Sequence, residues 1–407
     1  MKNILIINQP LGNRGDESAH RALVRTLNKN FPQTKIIILT LFDWNNAEEE
    51  FIVDHPNNQY INFLFSHNLG ASFIAKWSIQ YGGIKLALIL HPILRRLVSY
   101  YRNADLILCA PGGICMGGFQ DWSHLFALYI AKIYNKPLAY YSRSFGPFPT
   151  KTRLNRRFKR IAEEILHYFS FISIRDNKTM EIAQEMNIAY TPSIDTAFLE
   201  RPIQCILKEL KYIDHNKFIV FVPNSLTWHY AYKEIDQTMI DSFYLSIIEQ
   251  IHALYPAHKI IMLPQLCSLG NLGDYNYFNQ LKQKSRLSDS IVVISDKYGS
   301  DIQQSIISKA DLVIGARYHS IVFAINNNRP FIALNYEHKI AGLLSMLNLS
   351  HHQINITDIF ADTNKYEVAI EKCIALLKNP EIPNKDIQAN KIAHTCFSNF
   401  TDYIKKM

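Results

Sequence analysis

A series of short apolar runs that mostly do not alternate with polar residues constrains this chain more than any other feature. In the first half they are Ile4–Asn8, Lys35–Leu41, Leu106–Ala110, Pro137–Tyr141 and Phe171–Ser173. In the second half they are Phe218–Pro223, Lys259–Pro264, Ile291–Ile294, Leu312–Gly315 and Phe331–Asn335. Strands buried on both faces have this character, because neither face meets water. Amphipathic stretches lie between the runs: Ser18–Asn30, Met239–Leu254 with apolar residues at i, i+4, i+7 and i+8, and Asp301–Ala310. Strand alternating with helix predicts an α/β chain with parallel sheets.

The 407 residues allow two or three domains at roughly 150 residues each. Leu199–Asn216 carries no strand pattern and breaks the composition. The expected division is therefore 1–205 and 206–385, with a helical tail at 386–407 that packs back on the first half. Two doubly wound, Rossmann-like halves facing a cleft would bind ligands at the carboxyl ends of their strands.

Composition removes several classes. Apolar residues at 48 % and charged residues at 19 % exclude disorder, and Gly 15 with Pro 16 excludes a fibrous chain. The six cysteines form no CxxC pair, so neither a zinc site nor a dithiol motif is indicated, and they fit a reducing compartment. The apolar start of the chain is too short for a signal peptide, so a cytoplasmic location is expected. The net charge is +8, and its densest basic run, RLNRRFKR (Arg153–Arg160), is no block suited to nucleic acid. The charge fits anionic small substrates, an anionic membrane surface, or plain solubility.

The segment Phe73–Tyr101 is apolar but interrupted by Lys85, His91 and Pro92. Its apolar core, Ile84–Leu97, is about 14 residues, shorter than the roughly 20 a span requires. Flanked by Trp77, Tyr81, Tyr100, Tyr101, Lys76, Arg95 and Arg96, it reads either as an amphipathic element in a membrane interface or as helices packed on the first domain.

Several motifs fall at expected carboxyl ends of strands. Gly12-Asn13-Arg14-Gly15-Asp16-Glu17 joins the first strand to the first helix; it lacks a Walker lysine, and Asp16 and Glu17 either cap the helix or accept bonds from sugar hydroxyls. Ala110-Pro111-Gly112-Gly113 reads either as a close ligand approach at Gly112 and Gly113 or as a plain turn. Ser142-Arg143-Ser144, Ile174-Arg175-Asp176, Gly315-Ala316-Arg317-Tyr318-His319 and Asn335-Tyr336-Glu337-His338-Lys339 each bring cations to a strand end. Arg143, Arg175, Arg317, His319 and Lys339 together imply a polyanionic small ligand, because arginine forks match phosphate and carboxylate. Trp228, in the loop Asn224–Tyr230, can stack on a sugar face or pack internally.

In this order GNRGDE, APGG, SFGPF, SIRD, PSIDTAF, GARYHS and FIALNYEHK resemble the polysaccharide pyruvyl transferase family, over roughly Ile4 to Leu344. The resemblance implies a GT-B-like fold and transfer of the pyruvyl group of phosphoenolpyruvate to two hydroxyls of a sugar, often galactose, releasing phosphate. No metal-ligand spacing is present and the implied reaction requires no metal or cofactor, and the scattered basic residues predict no nucleic-acid partner. Arg317 and His319 match the family's donor-binding Arg-x-His, and Arg175 the arginine of its Arg-Asp motif. Ser144 lies in the Ser-Phe-Gly-Pro stretch, where Gly146 stands in place of a histidine found in some members. His319 is the expected general acid, with Arg317 stabilising the leaving phosphate and Asp16 or Glu17, from the facing domain, the expected base. Arg175, Arg143, Ser144, Tyr318, Lys339, His338, Asn13, Gly112, Gly113 and Trp228 complete the expected substrate contacts. The acceptor reads as a free sugar, a nucleotide sugar or a lipid-linked oligosaccharide at the inner face of the cytoplasmic membrane. Two rival readings are a GT-B glycosyltransferase using a nucleotide sugar and a non-catalytic sugar- or phosphate-binding protein.

Overall fold

The computed structural model describes residues 1–10, 12–40, 51–63, 68–113, 115–204, 217–229, 231–267 and 273–407. The expected boundary at 205/206, Leu41 and Tyr230 lie outside the described residues. By their contacts the residues form two units: Met1–Leu11 with Ala19–Leu199 and Lys391–Met407, and Gly12–Ser18 with Glu200–Asn390.

The first unit is built on a seven-stranded sheet. Its strands are β1 (Asn3–Ile7), β2 (Lys35–Thr40), β3 (Asn58–Asn62), β4 (Leu106–Cys109), β5 (Leu138–Tyr140), β6 (Phe171–Ile174) and β7 (Thr191–Pro192), in the order β3-β2-β1-β4-β5-β6-β7. Every pairing is parallel. The interior strand β4 is buried along its whole length, which is why its sequence is an unbroken apolar run. The helix Asp386–Lys406 carries Phe397 and Phe400 onto this unit, where Phe400 lies 5.0 Å from the rings of both Tyr141 and Phe171.

The second unit holds β8 (Phe218–Val222), β9 (Lys259–Met262), β10 (Ile291–Val293), β11 (Leu312–Gly315), β12 (Phe331–Asn335) and β13 (Gln353–Asn355), in the order β10-β9-β8-β11-β12-β13. These pairings are parallel too. In both sheets the strand order reverses beside the first strand of the unit, at β1/β4 and at β8/β11. Loops at the carboxyl ends of those strands form the crevice where ligands of doubly wound folds bind.

The ten expected strands are all present, two with their expected bounds and the rest with ends moved by one or two residues. The three that the pattern misses, β3, β7 and β13, are sheet-edge strands of mostly polar residues, paired on one side only. The first helix begins at Arg14, four residues before the expected Ser18, so Asp16 and Glu17 belong to its first turn. There they complement the positive end of the helix dipole.

The segment around Phe73–Tyr101 forms three helices, Leu69–Tyr81, Ile84–Leu90 and Pro92–Asn103. Each has a buried side facing the first unit's core: Ala71, Ala75 and Ile79; Leu88; Leu94, Leu97 and Tyr101. No helix among the described residues is long and apolar enough to cross a membrane.

Candidate active site

The sequence places two loops at the switch point of the second unit. One follows β8 and carries Asn224 and Trp228; the other follows β11 and carries Arg317 and His319. Arg317 is the residue before the helix Tyr318–Asn326, and His319 lies in that helix's first turn. The partial positive charge of a helix start adds to the arginine's own charge and favours an anion.

Arg317 is buried and forms an ion pair with buried Asp274. Burial opposes its charge, and Asp274 together with Tyr336 and Tyr244 outweighs that opposition, so the guanidinium is held protonated. Asp274 is fixed in turn: its other oxygen accepts the backbone N–H groups of Gln265, at 3.0 Å, and Leu266, at 2.9 Å. The guanidinium carbon of Arg317 also lies 5.7 Å from the centroid of the Trp228 ring. Trp228 is held by its indole N–H, which donates to Asn224 Oδ1 at 2.8 Å, and the ring remains 44 % exposed.

The N-terminal motif joins this site. Residues 12–18 belong to the second unit by contact, in the same unit as Arg317 and His319 and not in the facing one expected. The loop pairs with the segment after β9: Arg14 N–H donates to Gln265 O at 2.9 Å, and Cys267 N–H donates to Gly12 O at 2.7 Å. Gly15 then lies flat against the His319 ring. A Cβ at Gly15 would sit 1.8 Å from His319 Cγ, so only glycine fits there.

Glu17 does not serve as the expected base. One of its oxygens accepts from Arg14 Nη1 at 2.8 Å; the other accepts from both the backbone N–H and the hydroxyl of Ser300, at 2.7 Å each. Burial raises its pKa against the pull of Arg14 and Ser300. It is an internal brace that caps the helix Ser300–Ile307. Asp16 is half-buried and makes no hydrogen bond or ion pair among the described residues. Asn13 uses its side-chain oxygen to accept Gly15 N–H at 2.8 Å, as a helix cap.

Beyond β12, Lys339 pairs with Glu337 at 2.9 Å. Burial would raise the Glu337 carboxyl, but Lys339 and His338 hold it below its ordinary value. His229 stands nearby with its ring 5.9 Å from Tyr336, and burial lowers its pKa against the pull of Glu337. Tyr318 is buried with its ring edge-on to His319 at 5.0 Å.

The remaining expected residues lie in the first unit, and most of them build it. Arg143 is fully enclosed. It donates to Asn8 O at 3.1 Å, Ala110 O at 2.7 Å and Cys115 Sγ at 3.0 Å, tying three strand-end loops together where an anion clamp was expected. Arg175 is buried in an ion pair with Asp195. Ser144 donates to Asp176 at 2.6 Å, and Asp176 caps the helix Asn177–Glu185. Gly112 lies against Pro10 and Arg143 with no room for a Cβ, whereas Gly113 has open space. At Gly146, φ is +72° and a Cβ would lie 2.5 Å from Ile182, so the position is built for glycine and holds no histidine.

Sequence reasoning missed Asp274, whose only signal is an acid at the start of a helix. Among the described residues, His351, His352 and Glu381 also bring one ligand atom each within 4.8 Å of one another, a spacing compatible with a metal ion.

Two parallel sheets in this strand order define a doubly wound α/β fold class. The chain is similar in fold to a UDP-GlcNAc 2-epimerase of Methanocaldococcus jannaschii in complex with UDP-GlcNAc and UDP, at 14 % identity and TM-score 0.58, covering 98 % of this chain and 100 % of that one. It is likewise similar to a putative UDP-N-acetylglucosamine 2-epimerase from Listeria monocytogenes, at 11 % identity and TM-score 0.58, covering 100 % and 97 %. Within that class the chain belongs to the polysaccharide pyruvyl transferase family, whose model matches residues 13–338. It is 23 % identical over 395 residues to the amylovoran biosynthesis protein AmsJ of Erwinia amylovora, covering 86 % of each. The chain is thus a transferase of polysaccharide biosynthesis.

Proposed function

We propose that the chain moves the pyruvyl group of phosphoenolpyruvate onto two hydroxyls of one sugar in a surface-polysaccharide precursor, forming a cyclic ketal and releasing phosphate. The observation that carries this reading is the anchored Arg317 beside His319 at a helix start, at the switch point of a sheet. In this scheme Arg317 binds the donor's phosphate, Lys339 assists with its carboxylate, and His319 protonates the methylene carbon. The first sugar hydroxyl bonds to C2, the C2–O bond to phosphate breaks, and the second hydroxyl closes the ketal. Of the two hydroxyl protons, one ends in the new methyl group and the other leaves with phosphate. Asp16, in the same helix turn as Gly15, is the base in this scheme, and the Trp228 face receives the sugar. The reaction needs no metal or cofactor. The exposed apolar helices near Phe73–Tyr101 are read as a peripheral contact with the inner face of the cytoplasmic membrane.

The test is phosphate release from phosphoenolpyruvate across a panel of galactosides and other sugars. The expected result is release with at least one sugar, about 100-fold or more slower in His319→Ala, the usual scale for a lost general acid. A nucleotide-sugar glycosyltransferase is the second reading, because the similar M. jannaschii structure holds UDP-GlcNAc. Ligand at about 100 times its Kd stabilises a protein by roughly 2.7 kcal/mol. A thermal shift with UDP-GlcNAc and none with phosphoenolpyruvate would move the assignment to that reading.

A further inference from the structure

The helices Leu69–Tyr81 and Ile84–Leu90 present a continuous apolar surface to solvent. Leu69, Phe73, Trp77 and Tyr81 follow one another at four-residue spacing and so form a single stripe, opposite the buried Ala71, Ala75 and Ile79. Leu69 is 80 % exposed and Phe73 68 %. Leu86, Ile89 and Leu90 extend the surface across the next helix. A soluble face seldom displays this many large apolar side chains together.

A cavity of about 650 Å³ opens at the turn between these two helices. Gly82 and Gly83 line it, and a Cβ at either would meet nothing within 4 Å. Its walls carry Lys85, Lys132, Arg157 and Arg160 against one carboxylate, Glu164, which Lys132 already pairs. Arg157 spends one N–H on Ile79 O at 3.3 Å, which fixes the basic helix Arg153–Leu166 to the end of the apolar one. Lys85, Arg157 and Arg160 have no acidic partner among the described residues. The basic run of the sequence, RLNRRFKR, therefore ends at a hole beside an apolar surface.

We infer that this cavity binds the phosphate head of a membrane lipid whose apolar chains lie along the Leu69–Leu90 helices. The two features complement the two ends of one amphiphile. An apolar surface alone fits any hydrophobic partner, and a basic cavity alone fits any anion. Side by side they select a phosphate-bearing lipid. The inference deepens the membrane contact proposed above and leaves the transfer chemistry untouched.

The test is co-sedimentation of the full chain with vesicles of phosphatidylcholine alone and vesicles also containing phosphatidylglycerol, with the emission of Trp77 as a second readout. The expected result is binding to the anionic vesicles, weakened by salt, with a blue shift that Trp77→Phe removes. In K85E/R160E, which alters two exposed residues, binding falls about tenfold or more. Phosphate release with a water-soluble acceptor stays unchanged in that variant, so failure of the transferase reading and failure of this one are separable. Unchanged vesicle binding in K85E/R160E overturns the inference. A thermal shift with inorganic pyrophosphate and no vesicle binding overturns it in favour of a free-anion site. Self-association that buries Trp77 without vesicles overturns it in favour of a second copy of the chain.

Discussion

Single residues divide this site into those that meet substrate and those that hold them in place. Gly15 is the clearest of the second kind, because its missing side chain is the seat of the His319 ring. Gly15→Ala should displace that ring, costing about 1–3 kcal/mol in stability as overpacked sites do. The fold should survive, and phosphate release should fall by more than the stability loss explains, measured by thermal melts beside kinetics. A ring that keeps its place and a rate that keeps its value would refute the positioning role. Asp274 anchors Arg317, and Asp274→Ala should destabilise the second unit by about 3–5 kcal/mol, since it leaves a buried cation without its carboxylate. Glu17→Gln should lower the melting temperature yet leave turnover measurable, because both carboxylate oxygens are spent on Arg14 and Ser300. Arg317 and His319 were legible because they follow a short unbroken apolar run, Leu312–Gly315, that reads as a buried strand. Arg143 was legible as an arginine past a strand, but nothing in sequence shows that its guanidinium turns inward to carbonyl groups.

At the scale of elements, the buried strands announce themselves and the edges do not. β4 and β8 are apolar throughout because both faces are covered, whereas β3 reads Asn-Gln-Tyr-Ile-Asn and carries no such pattern. The helix at Arg14 begins earlier than its apolar periodicity because Asn13 caps it. The helix Asp386–Lys406 closes the first unit through Phe400, which is fully buried among Tyr141, Phe171 and Phe397. Phe400→Ala should cost about 3–5 kcal/mol, the usual range for a large aromatic removed from a core. Denaturant unfolding would check this, and a loss below about 1 kcal/mol would mean that the helix merely rests on the surface.

For the molecule as a whole, buried histidines set the response to acid. Burial, with Arg21 adding to it, holds His20 down to about 3, and burial with Arg143 lowers His124. Both lie below the ordinary histidine value of about 6.5. Above that value folded and unfolded chains are alike neutral, and the stability is present in full. As the pH falls below it, the unfolded chain takes up protons that the folded chain refuses, down to about 3 for His20. Stability should therefore drop by up to about 1.4 kcal/mol per pH unit for each such group. Melting temperatures falling steadily below about pH 6.5, with a shallower slope in His20→Gln, would bear this out; a flat profile from neutral to mildly acid pH would not. The division into units has a further consequence, in time rather than space. Residues 12–18 belong with a unit whose remaining chain begins at Glu200, and residues 391–407 belong with the unit made first. During synthesis the helix Arg14–Asn30 leaves the ribosome with its first turn lacking Gln265, Ser300 and His319. The apolar patch around Tyr141 and Phe171 stays uncovered until the whole second unit has followed. Neither half can be finished before the other, so cutting the chain between the sheets would yield two incomplete proteins.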